Sequence, residues 1–477
     1  MKFNKAQKKE NKTTTYENGL GYVKNPLEDW MNFLFSSYLE DRFYEDADVQ
    51  TERLQELTYK IGEVYGWEFV AKAAFFARNK LGMRSVSELI AGILNAESFK
   101  NKRSFYRNYF HRLDGVGEVF SIIDFLGDKR SHALIRGTGD YISKQSEYTL
   151  GKYKMKGKTY NLYDIINITH ANSPAINKYK KECLEIVDTW ETRISNSKNK
   201  NDDWIALVKE QKLGYLALIR NLSNILNSNI SKKDIETYLV PQIINKKAIK
   251  KSLVFPYQIY SAAVNSGITN HTVLAALEKA FINASMNVPE LKGESVVLLD
   301  VSGSMSNSIS KRSKVSIKEV GACYAVALGL KNKVDFIKFG TIAKKVSYNY
   351  YKDSIFNIIK EMSDNEHLGY GTCIEQAFNL LDKKYERIFI VSDMQVMDSI
   401  LGRYAKADKY EDYCNTFGQT KCYSFDLGGY ETQFSNPNNP DVFLLTSLND
   451  KVFKFIPYLE NKKSLYNFIN SINYETP

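Results

Sequence analysis

The apolar run Val296-Val297-Leu298-Leu299 ends in Asp300-Val301-Ser302-Gly303-Ser304. A short Val/Leu run reads as a strand buried in a parallel sheet, and in open α/β sheets ligands sit just beyond the carboxyl ends of such strands. One loop therefore brings a carboxylate and two hydroxyls to a functional edge. Two more oxygens occupy comparable places: Thr372 follows Gly369-Tyr370-Gly371, and Asp393 ends the apolar run Ile388-Phe389-Ile390-Val391-Ser392. Hard oxygen donors with a position left open suit Mg²⁺, which keeps several of its waters. A plainer reading has Ser302 and Gly303 making only a tight strand-to-helix turn, with Asp300 capping the helix that begins near Ser316. That reading gives Thr372 and Asp393 nothing to do.

A second set of residues suits polyanions. Lys152, Lys154, Lys156 and Lys158 alternate around Tyr153 and Gly157, and His170 closes the stretch Asp164-Ile165-Ile166-Asn167-Ile168-Thr169. If this segment is extended, its lysines project from one side, beside Tyr148, Tyr153 and Tyr160. The chain carries 65 Lys+Arg against 55 Asp+Glu. Residues 289–477 hold 23 of each, so the whole excess lies in residues 1–288, with 42 against 32. A basic half joined to a neutral one points to phosphate backbones, which bind through Lys and Arg with release of counterions; a solvated lysine-rich surface is the ordinary alternative. Arg220 and Asn221 stand mid-helix, either on the surface or lining an interior.

Catalytic constellations are missing. There is no Gly-x-x-x-x-Gly-Lys-Ser/Thr phosphate loop, no His-Glu-x-x-His and no Gly-x-Ser-x-Gly elbow. His367 lies near Thr372 in the sequence, but no nucleophile is placed beside it. No enzyme activity is expected. The five cysteines, Cys183, Cys323, Cys373, Cys414 and Cys422, are odd in number and lack metal-type spacing, which favours reduced thiols. No apolar run is long enough to span a membrane, and residues 1–12 are polar, so a cytoplasmic protein is expected.

The elements that must position these residues fall into two patterns. At 477 residues more than one core is expected. Residues 1–20 read as a disordered basic tail, polar and with a Thr13-Thr14-Thr15 run. From 21 to 288 apolar residues recur three and four apart, as in Leu54, Leu57, Ile61, Val64 and in Val86, Leu89, Ile90, Ile93. A long all-helical segment must stack helix pairs, which favours an α-solenoid. From 289 to 477 the period alternates between strands and helices, which implies an α/β domain with a doubly wound, mostly parallel sheet.

Asp300-x-Ser302-x-Ser304 with Thr372 and Asp393 resembles the metal-ion-dependent adhesion site of von Willebrand factor A domains. The resemblance implies that Ser302, Ser304 and Thr372 touch the ion, while Asp300 and Asp393 bind it directly or through water. Upstream, Ala77-Arg78-Asn79 with Met83-Arg84-Ser85-Val86-Ser87, Leu216-Ala217-Leu218-Ile219-Arg220-Asn221-Leu222, Phe255-Pro256-Tyr257-Gln258-Ile259 and Ala276-Leu277-Glu278-Lys279-Ala280-Phe281 resemble the TROVE module of the Ro autoantigen family. That family joins a ring of HEAT-like helical repeats to an A domain. It implies binding of small noncoding Y-type RNA on a basic outer face and of single-stranded 3′ ends of misfolded RNA in the ring, in RNA quality control or processing. On the match Lys152, Lys154, Lys156, Lys158 and His170 face structured RNA, and Arg220 lines the cavity. Asn172-Ser173-Pro174 departs from the family's usual Lys-Pro after the His. The A domain would serve a nuclease or other protein partner. The rival reading is a metal-dependent protein-interaction module, partner of an ATPase or an assembly, with an incidental basic surface.

Overall fold

The computed structural model describes residues 12–15, 20–24, 26–36, 47–153, 155, 157–184, 188–252, 254–309, 313–350, 352–397, 409–428, 430, 432–436, 439–445, 453, 456, 460 and 465–475. The chain divides into two compact units that do not follow the linear division at residue 288. One contains Met1–Asn32, Arg42–Tyr44 and Ile244–Ile456; the other contains Phe33–Asp41, Glu45–Ile243 and Pro457–Pro477.

The second unit is helical. Its helices include Ala47–Tyr65, Trp67–Phe76, Ser85–Ile93, Lys102–Tyr109, Leu113–Phe125, His132–Ser143 and Leu162–Thr169. Neighbours alternate: Ser85–Ile93 packs on Leu113–Phe125, Lys102–Tyr109 on His132–Ser143, and His132–Ser143 on Leu162–Thr169. Packing each helix on the next but one is how helix pairs stack in a solenoid, as the periodicity implies. The approach is close at Gly137, where a Cβ would stand 2.4 Å from the Arg103 carbonyl oxygen. Residues near the C-terminus belong here too, because their aromatic rings find partners here. Tyr466 lies 4.9 Å from Phe69, Phe468 lies 5.3 Å from Phe76, and the Tyr474 hydroxyl donates to the Lys100 carbonyl at 2.8 Å. The expectation that 289–477 forms one domain therefore misses the 457–477 segment.

The first unit is built on a six-stranded sheet. We label β1 (Lys12–Thr14), β2 (Leu20–Val23), β3 (Glu294–Asp300), β4 (Lys333–Phe339), β5 (Ala343–Val346), β6 (Arg387–Ser392), β7 (Lys421–Asp426), β8 (Thr432–Gln433) and β9 (Val442–Leu445). The order is β5-β4-β3-β6-β7-β9, parallel throughout except for antiparallel β5 at the edge. Central β3 and β6 are buried nearly end to end, which explains their unbroken apolar runs. Helix Ile317–Gly329 follows the β3 loop, and its cap is Ser316 in a capping box with Glu319, so Asp300 is not the cap.

Helices Lys246–Ser252, Pro256–Ser266 and His271–Ala284 join this unit rather than the solenoid. The Tyr260 hydroxyl donates to Glu319 Oε1 at 2.7 Å, and the rings of Tyr260 and Phe281 meet Phe356 edge-on at 5.4 and 6.3 Å. The expected disordered tail is also partly ordered. β1 and β2 form an antiparallel hairpin that pairs through β2 with β8. Just after β2, Lys24 Nζ donates to Asp426 Oδ2 at 2.7 Å and to the Tyr430 carbonyl, with both charged side chains buried. Residues 1–11 and 16–19 lie outside the described residues.

Candidate functional site

β3 and β6 run side by side with Leu299 opposite Val391, so Asp300 and the Ser392-Asp393 pair emerge together at the carboxyl edge of the sheet. Asp300, Ser302, Thr372 and Asp393 are all buried there, and Ser304 is half-buried. The Ser302 backbone N–H donates to Asp300 Oδ1 at 2.8 Å, which curls the loop back on its own carboxylate. The Ser302 and Ser304 hydroxyls lie 3.4 Å apart, and the Ser304 hydroxyl bonds the Asp393 carboxylate. The Thr372 loop is tied to the same place. Gly303 N–H donates to the Tyr370 carbonyl at 2.9 Å, and Cys373 feels the Asp300 charge.

Three residues that the motif does not contain hold this arrangement. Asn365 donates to the carbonyls of Val301 at 2.9 Å and Gly369 at 2.8 Å, joining the Asp300 and Thr372 loops with one amide. Ser392 Oγ donates to Asp300 Oδ2 at 2.5 Å. Gln395 N–H donates to Asp393 Oδ1 at 3.2 Å, while its amide reaches Thr432 Oγ1 at 3.1 Å. Ser392 is legible as the hydroxyl before a strand-end Asp; Asn365 and Gln395 carry no signal in the sequence beyond their place in loops.

Burial raises both carboxyl groups above the ordinary aspartate range, and the Asp300 charge raises Asp393 further. Two buried carboxylates that disfavour each other's charge, ringed by hydroxyls, form an all-oxygen donor set that a divalent cation would neutralise. The residues fit Mg²⁺ better than a softer metal, which would ask for imidazole or thiolate. Among the described residues no group of three or more His, Cys, Asp and Glu side chains forms a conventional metal cluster. Above the site Tyr370 is 80% exposed.

The polyanion candidates lie in the helical unit. Lys152 ends the short helix Glu147–Lys152, with its ammonium 3.7 Å from Glu191 and 5.8 Å above the Tyr153 ring. Lys158 is exposed. Lys154 and Lys156 lie outside the described residues. The row is not an extended strand: Met155 and Gly157 both have positive φ, and Lys158 N–H closes a turn onto the Met155 carbonyl. Alternate projection from one side therefore does not apply, because helix and turn break the two-residue period. Tyr148 is exposed, whereas the Tyr160 hydroxyl is held by Asp124 and Arg130. His170 is an exposed left-handed C-cap of helix Leu162–Thr169 (φ 52°). Arg220 is exposed at the end of helix Tyr215–Arg220 and has no ion pair among the described residues, while Asn221 bonds the Ala217 carbonyl. All five cysteines are free. No helix among the described residues is long and apolar enough to cross a membrane.

Comparison with known proteins fits this architecture. The TROVE domain profile matches residues 173–352. Telomerase protein component 1 of Mus musculus is 33% identical over 75 residues, which is 16% of this chain and 3% of that protein's length. The crystal structure of the Ro (RSR) protein of Deinococcus radiodurans superposes with a TM-score of 0.60 at 15% identity, covering 92% of this chain and all of that one. A helical-repeat part and a von Willebrand A-like sheet are thus the parts of a known fold. The chain thus matches the TROVE domain over residues 173–352 and shares the fold of the Ro (RSR) protein.

Proposed function

We propose that this protein is a noncatalytic RNA-binding scaffold that holds a small structured noncoding RNA of the Y type on the basic surface of its helical unit and accepts single-stranded 3′ ends of misfolded RNA, acting in RNA quality control or processing. The observation that carries the reading is the exposure of Lys152, Lys158, His170 and Arg220 in the helical unit of an RNA-binding family's fold. Lysines serve as point charges toward phosphates and confer no base selectivity, which suits recognition of RNA by shape. Single-stranded ends bind by backbone attraction and base stacking, which tolerates any sequence. The test is competition between a hairpin RNA with a 3′ tail and the same hairpin with a blunt end. The tailed RNA is expected to bind more tightly, with Arg220→Ala abolishing the difference. Equal binding of both RNAs by wild type and variant would refute the tail site.

A second role rests on a different observation, the buried all-oxygen site beneath exposed Tyr370. Asp300, Ser302, Ser304, Thr372 and Asp393 would hold Mg²⁺, and the ion would supply a Lewis-acidic position for a carboxylate of a protein partner such as a nuclease or an ATPase. The chain's own contribution is positional: Ser392 and the Ser302 amide orient Asp300, and Asn365 fixes the two loops against each other.

A further inference from the structure

The segment 244–288 belongs to the sheet-bearing unit, and it carries five lysines against a single acid, Glu278. The sheet-bearing unit as a whole holds 33 Lys+Arg against 26 Asp+Glu, and this one segment supplies more than half of that excess. Four of those lysines, Lys246, Lys247, Lys250 and Lys251, fall within the seven-residue helix Lys246–Ser252. All four are exposed, while Ile249 is 2% exposed and anchors the helix. None of the four has an ion pair among the described residues. Glu278 is engaged elsewhere: its carboxylate accepts from the Ser354 hydroxyl and the Phe356 backbone N–H.

This helix works against itself. Lys246 and Lys250, and again Lys247 and Lys251, are like charges one turn apart, which repel. Lys246 and Lys247 also occupy the first turn, where the positive end of the helix dipole disfavours cations. A sequence that crowds four unpaired ammonium groups into two turns gains from them only when an array of negative charge lies opposite. We propose that helix Lys246–Ser252 is a phosphate-backbone contact for duplex RNA on the sheet-bearing unit, additional to Lys152, Lys158 and His170 on the helical unit. The inference rests on the RNA-scaffold reading and extends it to a second surface. An anionic membrane is the poorer occupant. A membrane-surface helix needs an apolar face to insert, and here the one large apolar side chain, Ile249, is already buried in the protein.

The test uses the full chain and a hairpin RNA with a long duplex stem, with binding followed by fluorescence anisotropy from 50 to 200 mM salt. The quadruple variant Lys246→Gln, Lys247→Gln, Lys250→Gln, Lys251→Gln should lower the slope of log K against log salt by about 2 to 4 units, since each phosphate contact contributes about 0.9. The corresponding quadruple Lys→Arg variant should keep both slope and affinity, which separates loss of charge from loss of fold. If wild type binds the hairpin with a steep salt dependence and the Gln variant binds identically, this surface is refuted and the wider reading stands. If wild type does not bind the hairpin, the wider reading falls, and this one with it. Vesicles of phosphatidylserine and phosphatidylcholine form the remaining arm: vesicle binding lost in the Gln variant alongside an unchanged RNA slope would overturn RNA as the occupant.

Discussion

Replacing Lys24 with Met keeps the length of the side chain and removes only its charge and donors. In the folded protein the Lys24 side chain is 1% exposed, and its ammonium bonds the fully buried Asp426 carboxylate at 2.7 Å, as well as the Tyr430 carbonyl. Breaking a buried ion pair from one side costs about 3–5 kcal/mol, because the remaining charge is stranded in low dielectric. Asp426 still accepts from the Gly428 backbone N–H at 2.9 Å, which offsets part of that loss and places the expected value toward the lower end of the range. A chain with two compact units does not unfold in one step, so a single melting temperature is a poor readout. Amide hydrogen exchange of the peptide spanning β7 reads the local opening free energy directly. A cost of about 3 kcal/mol corresponds to roughly a hundredfold loss of protection there. Lys24→Met with Asp426→Asn should be milder than the sum of the two single changes, since the double variant no longer buries a carboxylate that has lost its ammonium. Protection in Lys24→Met within about threefold of wild type, or strict additivity in the double variant, would refute the claim that the N-terminal segment is electrostatically locked to the sheet.

Other outcomes follow from the site. Asp300→Ala should abolish calorimetric Mg²⁺ binding while leaving RNA affinity within about twofold, with or without EDTA; RNA binding that collapses in EDTA would mean that the ion bridges phosphate. Because the fold raises the Asp300 and Asp393 pKa values, the metal-free folded state holds more protons than the unfolded state above the ordinary aspartate range, so stability falls as pH rises through that window. Asp393→Asn should remove much of this fall, seen as flatter amide-exchange protection factors of the β3 and β6 peptides from pH 5 to 8 without metal, and a saturating divalent ion at a hundred times its Kd should stabilise wild type alone by about 2.7 kcal/mol. Lys152→Ala with Lys158→Ala should weaken hairpin RNA binding and lower its salt slope by up to about 1.8 units, checked by anisotropy; an unchanged slope would remove that surface.

What the sequence disclosed depended on how local the controlling physics is. β3 and β6 are legible because burial on both faces enforces a continuous apolar run, and with them come Asp300 and Asp393. The helical periodicity is legible because each helix buries one face and so repeats its apolar residues every three or four positions, as Leu54 and Ile61 do. β5, with the sequence Ala343-Lys344-Lys345-Val346, is not, since an edge strand with solvent on one side needs no apolar run. β1 lies in a polar tract whose order comes from a hairpin and from β8, hundreds of residues away. Tyr466, Phe468 and Tyr474 look like ordinary domain aromatics until their partners Phe69, Phe76 and Phe105 are known. At the candidate site Asp300, Ser302, Ser304, Thr372 and Asp393 stand at strand ends and turns that the sequence marks, whereas the amides of Asn365 and Gln395 act through loops whose meeting no local pattern encodes.

The interleaving of the two compact units sets a schedule for synthesis. Domains emerging from the ribosome tend to fold in order from the N-terminus. Here β1 and β2 precede the helices, yet the partner of β2, β8, comes only at Thr432–Gln433, after residues 45–243 of the helical unit have been translated. The solenoid in turn waits for Tyr466, Phe468 and Tyr474 to seal its first helices. Neither unit can be completed until its late segment, β8 for the sheet and Tyr466–Tyr474 for the solenoid, has left the exit tunnel, so a nascent chain stalled before β8 exposes both an unpaired hairpin edge and the uncovered rings of Phe69, Phe76 and Phe105 to the cell's chaperones.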